Sequence, residues 1–433
     1  MDFLWYIVAA LFGIILTMRF VVGGLLKWVH TNAWKVQRDY VTKPTVSILL
    51  PCFNEGETVF ETIKSIMAND YPMDRLEIIA VDDCSSDDSF EWMLKAKALY
   101  PDRKIQVRRN PENLGKGRTM LRACSFSKSE MVLSIDSDTI FATNTVTELM
   151  SCFPKNPNMG AVGGVVGLKN ANENFLTAFQ AFQYFLGFRL YKLSENWTKT
   201  VGCIAGPLFA MRRHVLEEVG PKILSRHWCG IHVNDGEDRF LTHMIVLAGY
   251  NTYINLDAQC WTIAPTQFKQ YFVQQLRWRR SPIRDFFLTV RTLDQHLNKP
   301  FNVIYIYLIL PASTLATLFR IYAALMKDPM FLFNPVVLMT YMAMATVVCL
   351  SIKHWHKEQD FGNPLKLAAF GFWWLVSTLF LTTLSLLTLD SGDWGTRGTA
   401  AATAAPEPVK EAPIVAEHHQ RVPATCVACA ENN

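Results

Sequence analysis

The sequence contains little charge for its length. Only 18% of its 433 residues are Asp, Glu, Lys or Arg, and the formal net charge is a mild +4. A nucleic-acid-binding protein would show a strongly basic face or stripe, so we expect no nucleic-acid partner. The ten cysteines have no framework spacing, and a chain of this size needs no disulfide staples. We therefore expect reduced thiols.

Basic residues are also absent from the start of the chain. No Lys or Arg precedes Arg19, so the apolar stretch at 3–26 lacks the basic start of a cleaved signal peptide. Its length matches the roughly 20 residues that cross a bilayer. Basic residues from Arg19 to Arg38 lie at or after its C-terminal end, which places the following segment in the cytosol. We expect an uncleaved transmembrane anchor at 1–28.

Three further apolar runs come late in the chain. We expect transmembrane helices at 301–327 and 333–353, and a transmembrane helix or re-entrant hairpin at 364–389. These runs lack the clustered carboxylates that ion relays usually need, which argues against a pure transporter. The segment 390–433 is rich in Ala, Pro and Glu, and most of it is expected to be disordered.

Residues 44–265 have a different pattern, in which short aliphatic runs alternate with stretches of helical apolar spacing. The runs are Thr45–Leu50, Glu77–Val81, Lys104–Val107 and Met131–Ile135, and the helical stretches are Glu57–Met67, Phe90–Leu99 and Gly117–Phe126. Strand–helix alternation predicts an α/β domain with a parallel sheet. Ligands bind such sheets at the carboxyl ends of the strands.

Acidic residues follow two of these predicted strands. Asp82 and Asp83 follow one run, and Asp136 and Asp138 follow another. Two carboxylates one residue apart at a strand end are suited to hold a hard divalent cation, Mg²⁺ or Mn²⁺, against a substrate diphosphate. A solvated turn is the alternative interpretation of Asp-x-Asp. The position directly after an apolar strand favours the metal site.

Four further motifs occur in a fixed order along the chain. They are Pro51–Glu55 (PCFNE), Gly236–Asp238 (GED), Gln274–Trp278 (QQLRW) and Trp394–Gly398 (WGTRG). Together with the Asp-x-Asp and the apolar runs, they resemble the processive family 2 membrane glycosyltransferases, over roughly residues 44–400. That group includes hyaluronan, chitin, rhizobial chitooligosaccharide and cellulose synthases. The WGTRG motif looks most like hyaluronan synthases, whereas the GED motif is closer to the rhizobial enzymes.

The resemblance implies a GT-A fold for a cytosolic catalytic domain at 44–265. It also implies flanking transmembrane helices that lie in the plasma membrane and contact its lipids. It implies a processive, inverting hexosyltransferase, hyaluronan synthase-like, with a UDP-sugar donor and a growing β-linked polysaccharide acceptor that is exported. The sugar would be GlcNAc, with or without glucuronic acid. The alternatives are a chitin or chitooligosaccharide synthase and a non-processive lipid-linked sugar synthase. A scaffold with a decayed transferase fold is disfavoured because the acidic motifs are intact.

The resemblance also assigns roles to individual residues. The nucleotide-binding positions are Asn54, Glu55, Asp83, Lys116, Asp136, Trp394 and Arg397; the metal ligands are Asp136 and Asp138; the catalytic positions are Asp238, Gln274, Arg277 and Trp278. Asp238 matches the general base, Arg277 suits a phosphate and Trp278 offers a face to a sugar ring. Lys116 could instead be an ordinary solvated lysine at the start of a helix. Trp278 could instead anchor the chain at the membrane interface. Glu237 either orients the site or is an acid favoured by a helix N-terminus.

The segment 266–300 mixes apolar residues with Lys269, Arg279, Arg280 and Arg284. This pattern predicts amphipathic helices at the bilayer surface, with the arginines in contact with lipid headgroups. If 366–389 spans the membrane completely, the count of crossings places Trp394–Gly398 on the side opposite the catalytic domain. Because the implied role requires the same side, we favour a re-entrant hairpin.

Overall fold

The computed structural model describes residues 36–196, 199–297, 299, 301–327, 329–330 and 364–391. The anchor expected at 1–28 and the helix expected at 333–353 lie outside these residues. So does the tail beyond Ser391, which includes Trp394 and Arg397. The predictions for those three segments remain predictions.

An eight-stranded sheet forms the framework of the described domain. The strands of the domain are β1 Val46–Cys52, β2 Leu76–Asp82, β3 Ile105–Arg109, β4 Met131–Ser134, β5 Ile140–Phe141, β6 Met159–Leu168, β7 Phe209–Arg212, β8 His227–Trp228, β9 Ile231–His232 and β10 Asn251–Thr262. Those of the sheet lie in the order β3-β2-β1-β4-β7-β6-β10-β5, and β8 and β9 pair separately. The four strands expected from the sequence are β1 to β4.

Helices connect these strands and continue beyond them. They are α1 Thr58–Met67, α2 Ser89–Leu99, α3 Lys116–Ser125, α4 Thr145–Ser151, α5 Phe175–Phe185, α6 Lys192–Asn196, α7 Arg213–Val219, α8 Glu237–Leu247, α9 Phe268–Arg291, α10 Leu293–Leu297, α11 Phe301–Ile304, α12 Leu310–Lys327 and α13 Pro364–Leu387. A π-helical segment, Leu186–Tyr191, joins α5 to α6, and a second, Tyr305–Ile309, joins α11 to α12. The three helices expected from apolar spacing are α1, α2 and α3.

The sheet is mixed, so the expectation of a parallel sheet holds only in part. Strands β3, β2, β1 and β4 are parallel neighbours, but β7 runs antiparallel to both β4 and β6, and β5 runs antiparallel to β10. Ser134, the last residue of β4, pairs with Phe209, the first residue of β7. The chain therefore enters β7 at the edge where β4 ends and must run back along it.

Both faces of the sheet are covered. Along β1, Ile48 and Leu50 pack into one hydrophobic cluster and Leu49 into another on the opposite face, and all three side chains are fully buried. A strand buried on both faces reads as a continuous apolar run, as β1 does. Each such side chain contributes about 1.5–3 kcal/mol of burial free energy. The loops at the carboxyl edge therefore emerge from a rigid framework.

Two long helices follow the sheet. The amphipathic segment forms the 24-residue α9, and α13 is a single helix of 24 residues that packs against it. The hairpin that we favoured within 366–389 is therefore wrong as a description of this segment. Among the described residues, Tyr305–Lys327 is long and apolar enough to cross a membrane, and Val376–Leu387 is a shorter apolar stretch.

A buried histidine pair connects the domain to the segment that contains this apolar helix. His243 Nε2 in α8 lies 2.9 Å from His296 Nε2 in α10, and His243 stacks on Tyr307 with 3.8 Å between ring centroids. Burial lowers the pKa of His243 well below its ordinary value, and His296 lowers it further. His296 Nδ1 donates to the Thr292 carbonyl at 2.7 Å, which fixes the orientation of the His296 ring.

Candidate active site

Two acidic motifs that are far apart in sequence converge on one lysine. Lys116 Nζ forms ion pairs with Asp136 Oδ1, just beyond β4, and with Glu237 Oε1, 3.2 Å away at the start of α8. The lysine side chain is only 15% exposed. The interpretation of Lys116 as a solvated helix-start lysine is therefore wrong. The ion pair with Glu237 orients this lysine. Of the two roles suggested for Glu237, the contact favours the one in which it orients the site.

The electrostatics of this group favour a charged lysine. Burial alone would lower the pKa of Lys116, but the carboxylates of Asp136, Glu237 and Asp238 outweigh burial and raise it. Burial raises the pKa of Glu237, and the Lys116 ammonium partly offsets that rise. Lys116 therefore carries its charge at neutral pH and can neutralise an anion placed beside Asp136.

The loop before α3 determines where Lys116 lies. Asp83 is buried and its carboxylate accepts hydrogen bonds from the Leu114 and Gly115 amides at 2.9 Å, from Thr119 Oγ1 at 2.8 Å and from Asn110 Nδ2 at 2.7 Å. Gly115 has a φ of +80°, which glycine adopts without strain. Asp83 thus holds the turn that presents Lys116, and its expected contact with uridine remains a prediction.

Asp82, the last residue of β2, holds the turn that follows this strand. It is fully buried, accepts from the Ser85 amide and pairs with Arg109 Nε at 3.1 Å. Burial raises the pKa of Asp82, and the hydrogen bonds from Ser85 and the charge of Arg109 oppose that rise. No catalytic role follows from this arrangement.

Gly206, which belongs to none of the sequence motifs, connects Lys116 and Asp136 to Asp238. Its amide donates to Asp238 Oδ2 at 3.1 Å. A Cβ built on Gly206 would lie 2.5 Å from Lys116 Nζ and 3.4 Å from Asp136 Oδ1. The antiparallel pairing of β4 with β7 brings this glycine opposite Asp136. A Gly-Pro pair just before an apolar run was the only sequence signal available for it.

Asp238 lies in the first turn of α8, behind Gly236. Its Oδ1 accepts from the Arg239 amide at 2.7 Å, while Gly206 holds Oδ2. Gly236 has a φ of +66°, and a Cβ there would lie 2.6 Å from Ser281 Cβ in α9. The GED motif therefore requires its glycine both for the backbone conformation and for the close packing of α9 on α8.

The loop after β1 and the end of β10 both contact the Asp136–Asp138 segment. Ser137 Oγ donates to Glu55 Oε1 at 2.9 Å, and Thr262 Oγ1 donates to Asp138 Oδ2 at 3.0 Å. Asn54, with a φ of +53°, accepts from the Ser86 amide at 2.9 Å. The structure thus brings Asn54, Glu55, Asp136 and Asp138 to one edge of the sheet, as the sequence predicts.

The residues at this edge fit a divalent cation. Asp136 and Asp138 supply hard carboxylate oxygens one residue apart, just beyond the end of β4. Mg²⁺ is usually held by one or two carboxylates together with substrate phosphates, so two protein ligands suffice. Thr262 and Ser137 anchor the loop from neighbouring elements and keep the two carboxylates in place.

The QQLRW residues lie on α9, beside the GED motif. The charge of Arg277 lies near enough to Glu237 and Asp235 to oppose the rise in pKa that burial causes at both. Gln274 Oε1 is buried and accepts no hydrogen bond from the described part of the chain. Trp278 is 42% exposed and its ring lies 5.8 Å from that of Tyr184. An aromatic face is therefore open beside the acidic residues.

The neighbouring arginines of α9 bind protein groups, and the expectation of headgroup contact is wrong for them. Arg279 donates to Thr378 and Thr382 of α13, and Arg280 donates to Thr388 at 3.0 Å. Arg284 pairs with Asp235 and donates to the Leu389 carbonyl at 2.9 Å and the Ser391 carbonyl at 2.6 Å. These contacts satisfy carbonyl groups beyond the C-terminal end of α13.

Because Asp235 lies three residues before Asp238, Arg284 also fixes the position of Ser391 relative to the candidate site. The end of α13 is therefore held against the catalytic domain, even though α13 is a helix rather than a hairpin. The sequence carries no signal for Asp235 and suggested lipid headgroups as the partners of Arg284, since a buried pair and a surface charge have the same amphipathic pattern.

Comparison with known proteins gives a consistent result. The family model "Glycosyltransferase like family 2" matches residues 44–281. An N-acetylglucosaminyltransferase of Rhizobium meliloti (strain 1021) is 32% identical over 252 residues, which cover 58% of each chain. A hyaluronan synthase of Streptococcus pyogenes is 26% identical over 394 residues, 89% of this chain and 90% of that relative. The match with the rhizobial relative covers less than two thirds of that protein's own length.

A solved structure shows the same fold. A mannosyltransferase of Pyrobaculum calidifontis, in complex with GDP-Man and Mn²⁺, matches with a TM-score of 0.56 at 18% identity and covers 88% of this chain and 96% of that one. The likeness, together with the mixed sheet and its flanking helices, confirms the expected α/β GT-A fold.

The space beside Gly206 gives a direct test of this site. Gly206→Ala should lower kcat/KM for sugar transfer by about tenfold or more, because the new Cβ displaces Lys116 from Asp136. The rate of sugar transfer by the purified protein measures this effect. Gly187→Ala is the matched control, since a Cβ at Gly187 meets no atom within 4 Å. Equal kcat/KM values for the two variants would contradict the arrangement.

Proposed function

The chain belongs to the family 2-like glycosyltransferases, and from this membership we propose that it is a membrane-embedded, processive and inverting hexosyltransferase. It transfers a sugar from a UDP-sugar to the end of a growing β-linked polysaccharide and exports the product. The observation that carries the proposal is the Lys116 group. In this cluster Lys116 pairs with Asp136, which we assign to the metal and diphosphate, and with Glu237. Gly206 connects the cluster to Asp238, which we assign to the acceptor.

The donor end of the site consists of Asp136, Asp138 and Lys116. Asp136 and Asp138 would hold a divalent cation, Mg²⁺ or Mn²⁺, and such an ion would supply positive charge to neutralise the diphosphate leaving group. Lys116 adds a protein cation next to the same phosphates, and Arg277 approaches from α9. Asn54, Glu55 and Asp83 are the residues that we assign to the uridine side.

Asp238 acts as the general base in this proposal. The acceptor hydroxyl attacks C1 of the donor sugar, and its proton passes to Asp238. The bond from C1 to the phosphate oxygen breaks, and its electron pair leaves with UDP. The products are the extended chain, UDP and one proton, and a single displacement converts an α-linked donor into a β-linked product. Gly206 and the Arg239 amide keep the Asp238 carboxylate oriented for this step.

The remaining assignments concern the membrane side. We place the catalytic domain in the cytosol, at the surface of the plasma membrane. Residues 305–327 form one of the membrane-spanning helices of the chain and contact the lipids. Trp394 and Arg397 close over the nucleotide from the tail. The contact of Arg284 with Ser391 supports that assignment, because it holds the chain three residues before Trp394 beside the GED motif.

Relatives named N-acetylglucosaminyltransferase support GlcNAc as a donor sugar. A relative named hyaluronan synthase supports a second donor, UDP-glucuronic acid. A chitin or chitooligosaccharide synthase, which would use GlcNAc alone, is the second candidate. The GED sequence and the rhizobial relatives favour it.

The role of Asp238 is tested by Asp238→Asn. We expect polymer synthesis to fall by about 100- to 10,000-fold, because the amide cannot accept the hydroxyl proton. UDP binding, measured by calorimetry, should persist because the substitution preserves size. Asp102→Asn, at an exposed loop position, is the control and should retain full activity. Polymerisation by Asp238→Asn at the wild-type rate would exclude Asp238 as the base.

The metal assignment predicts a chelator-sensitive enzyme. Excess EDTA should abolish sugar transfer, and added Mg²⁺ or Mn²⁺ should restore it, because the hard oxygen ligands Asp136 and Asp138 bind such ions reversibly. Asp138→Asn should require a higher metal concentration for half-maximal rate. Transfer that continues undiminished in excess EDTA would exclude metal-dependent transfer.

A further inference from the structure

A row of side chains outside the assigned residues lies along the helical segment after β6. Tyr184 in α5, Phe188 in the π-helical segment and Lys192 at the start of α6 follow one another at four-residue spacing. The Tyr184 and Phe188 ring centroids are 5.7 Å apart, and Lys192 Nζ lies 4.0 Å from the Phe188 centroid. Side chains four residues apart on a helix are neighbours, so these three form one continuous surface. A π-helical segment within a helix is itself frequent at functional sites.

One end of this row lies near the donor end of the site. Tyr184 contacts Trp278, with 5.8 Å between ring centroids. Burial raises the pKa of the Tyr184 hydroxyl, and the nearby carboxylates of Asp138 and Asp136 raise it further. Tyr184 therefore lies between the proposed metal ligands and the exposed face of Trp278.

The other end of the row lies near the proposed base. Burial lowers the pKa of Lys192, and the carboxylates of Glu195 and Asp238 oppose that effect, so the Lys192 ammonium is within electrostatic range of Asp238. Lys192 Nζ lies over the Phe188 ring and makes no hydrogen bond or ion pair with the residues that the structure describes. Glu195, the nearest acid along the helix, accepts a hydrogen bond from the Gly202 amide at 3.0 Å.

Tyr184 and Phe188 pack against the core of the domain and stay partly exposed. The Lys192 ammonium lies over the Phe188 ring and has no hydrogen-bond acceptor among the described residues, so its N–H donors remain available. A ligand rich in oxygen would supply up to three acceptors for Lys192. The half-buried rings of Tyr184 and Phe188 would contact an apolar surface of the same ligand. A pyranose sugar has both features, since its C–H face is apolar and its edge carries hydroxyl groups.

We propose that Tyr184, Phe188 and Lys192 form a subsite for the terminal sugar of the acceptor chain, between Trp278 and Asp238. The inference rests on the proposed function and names residues for its acceptor side. The two rings pack against the sugar face, and Lys192 donates hydrogen bonds to its hydroxyl oxygens. The sugar is thereby held with its attacking hydroxyl toward Asp238.

The test compares acceptor and donor kinetics in the full chain purified in detergent. UDP-GlcNAc is the donor and a chitin oligosaccharide is the acceptor. Lys192→Met should raise KM for the oligosaccharide by about tenfold, the loss expected for a charged hydrogen bond. KM for UDP-GlcNAc should change by less than about twofold, since the donor groups are untouched. Lys192→Arg, which keeps the charge, should recover part of the acceptor affinity.

Tyr184→Leu provides a second, independent variant and should also raise KM for the oligosaccharide, by removing the stacking face. Lys169→Met, at an exposed lysine just beyond β6, is the matched control and should match the wild type. If Lys192→Met and Tyr184→Leu both keep the wild-type KM for the oligosaccharide, the subsite is wrong. Equal increases in the donor and acceptor KM values would also overturn it, because a merely structural role moves both. A wild-type protein that transfers no sugar would instead refute the proposed function itself.

Discussion

The ion pairs of Lys116 with Asp136 and Glu237 are the interaction on which the site depends. Acidic side chains at the end of β4 and at the start of α8 repel one another unless a cation lies between them. Supplying that cation from α3 requires the Asp83 hydrogen bonds to the Leu114–Gly115 turn. It also requires a residue without a side chain at position 206. The framework of the sheet thus serves to place one ammonium group.

A second constraint joins this site to the helices beyond the domain. Asp235 is buried, and Arg284 from α9 pairs with it while also binding the carbonyls that follow α13. Removing one partner of such a buried pair typically costs 3–5 kcal/mol. The GED motif, the QQLRW helix and the end of α13 are therefore held as one unit. Movement of α13 along α9 would be transmitted to the turn that carries Asp238.

The sequence was sufficient for the local features of the fold and site. Continuous apolar runs identified β1 to β4, and of the acids that follow them, Glu55, Asp136 and Asp138 meet at one edge of the sheet. Three features needed long-range information. Gly206 reaches Asp136 only through the antiparallel register of β7, and Arg279, Arg280 and Arg284 bind protein groups that an amphipathic pattern cannot distinguish from lipid headgroups. The course of α13 was misjudged because its end is fixed by contacts with α9.

The central claim is that the site around Lys116, Asp136 and Glu237 catalyses sugar transfer from a nucleotide to a β-linked chain. The most direct measurement incubates the purified wild type and Lys116→Met with UDP-GlcNAc, with and without UDP-glucuronic acid, and digests the product with chitinase or hyaluronidase. The account predicts UDP release and an enzyme-digestible polymer for the wild type, and a severe loss of both for Lys116→Met. Absence of UDP release by the wild type from either donor, or full activity of Lys116→Met, would contradict it.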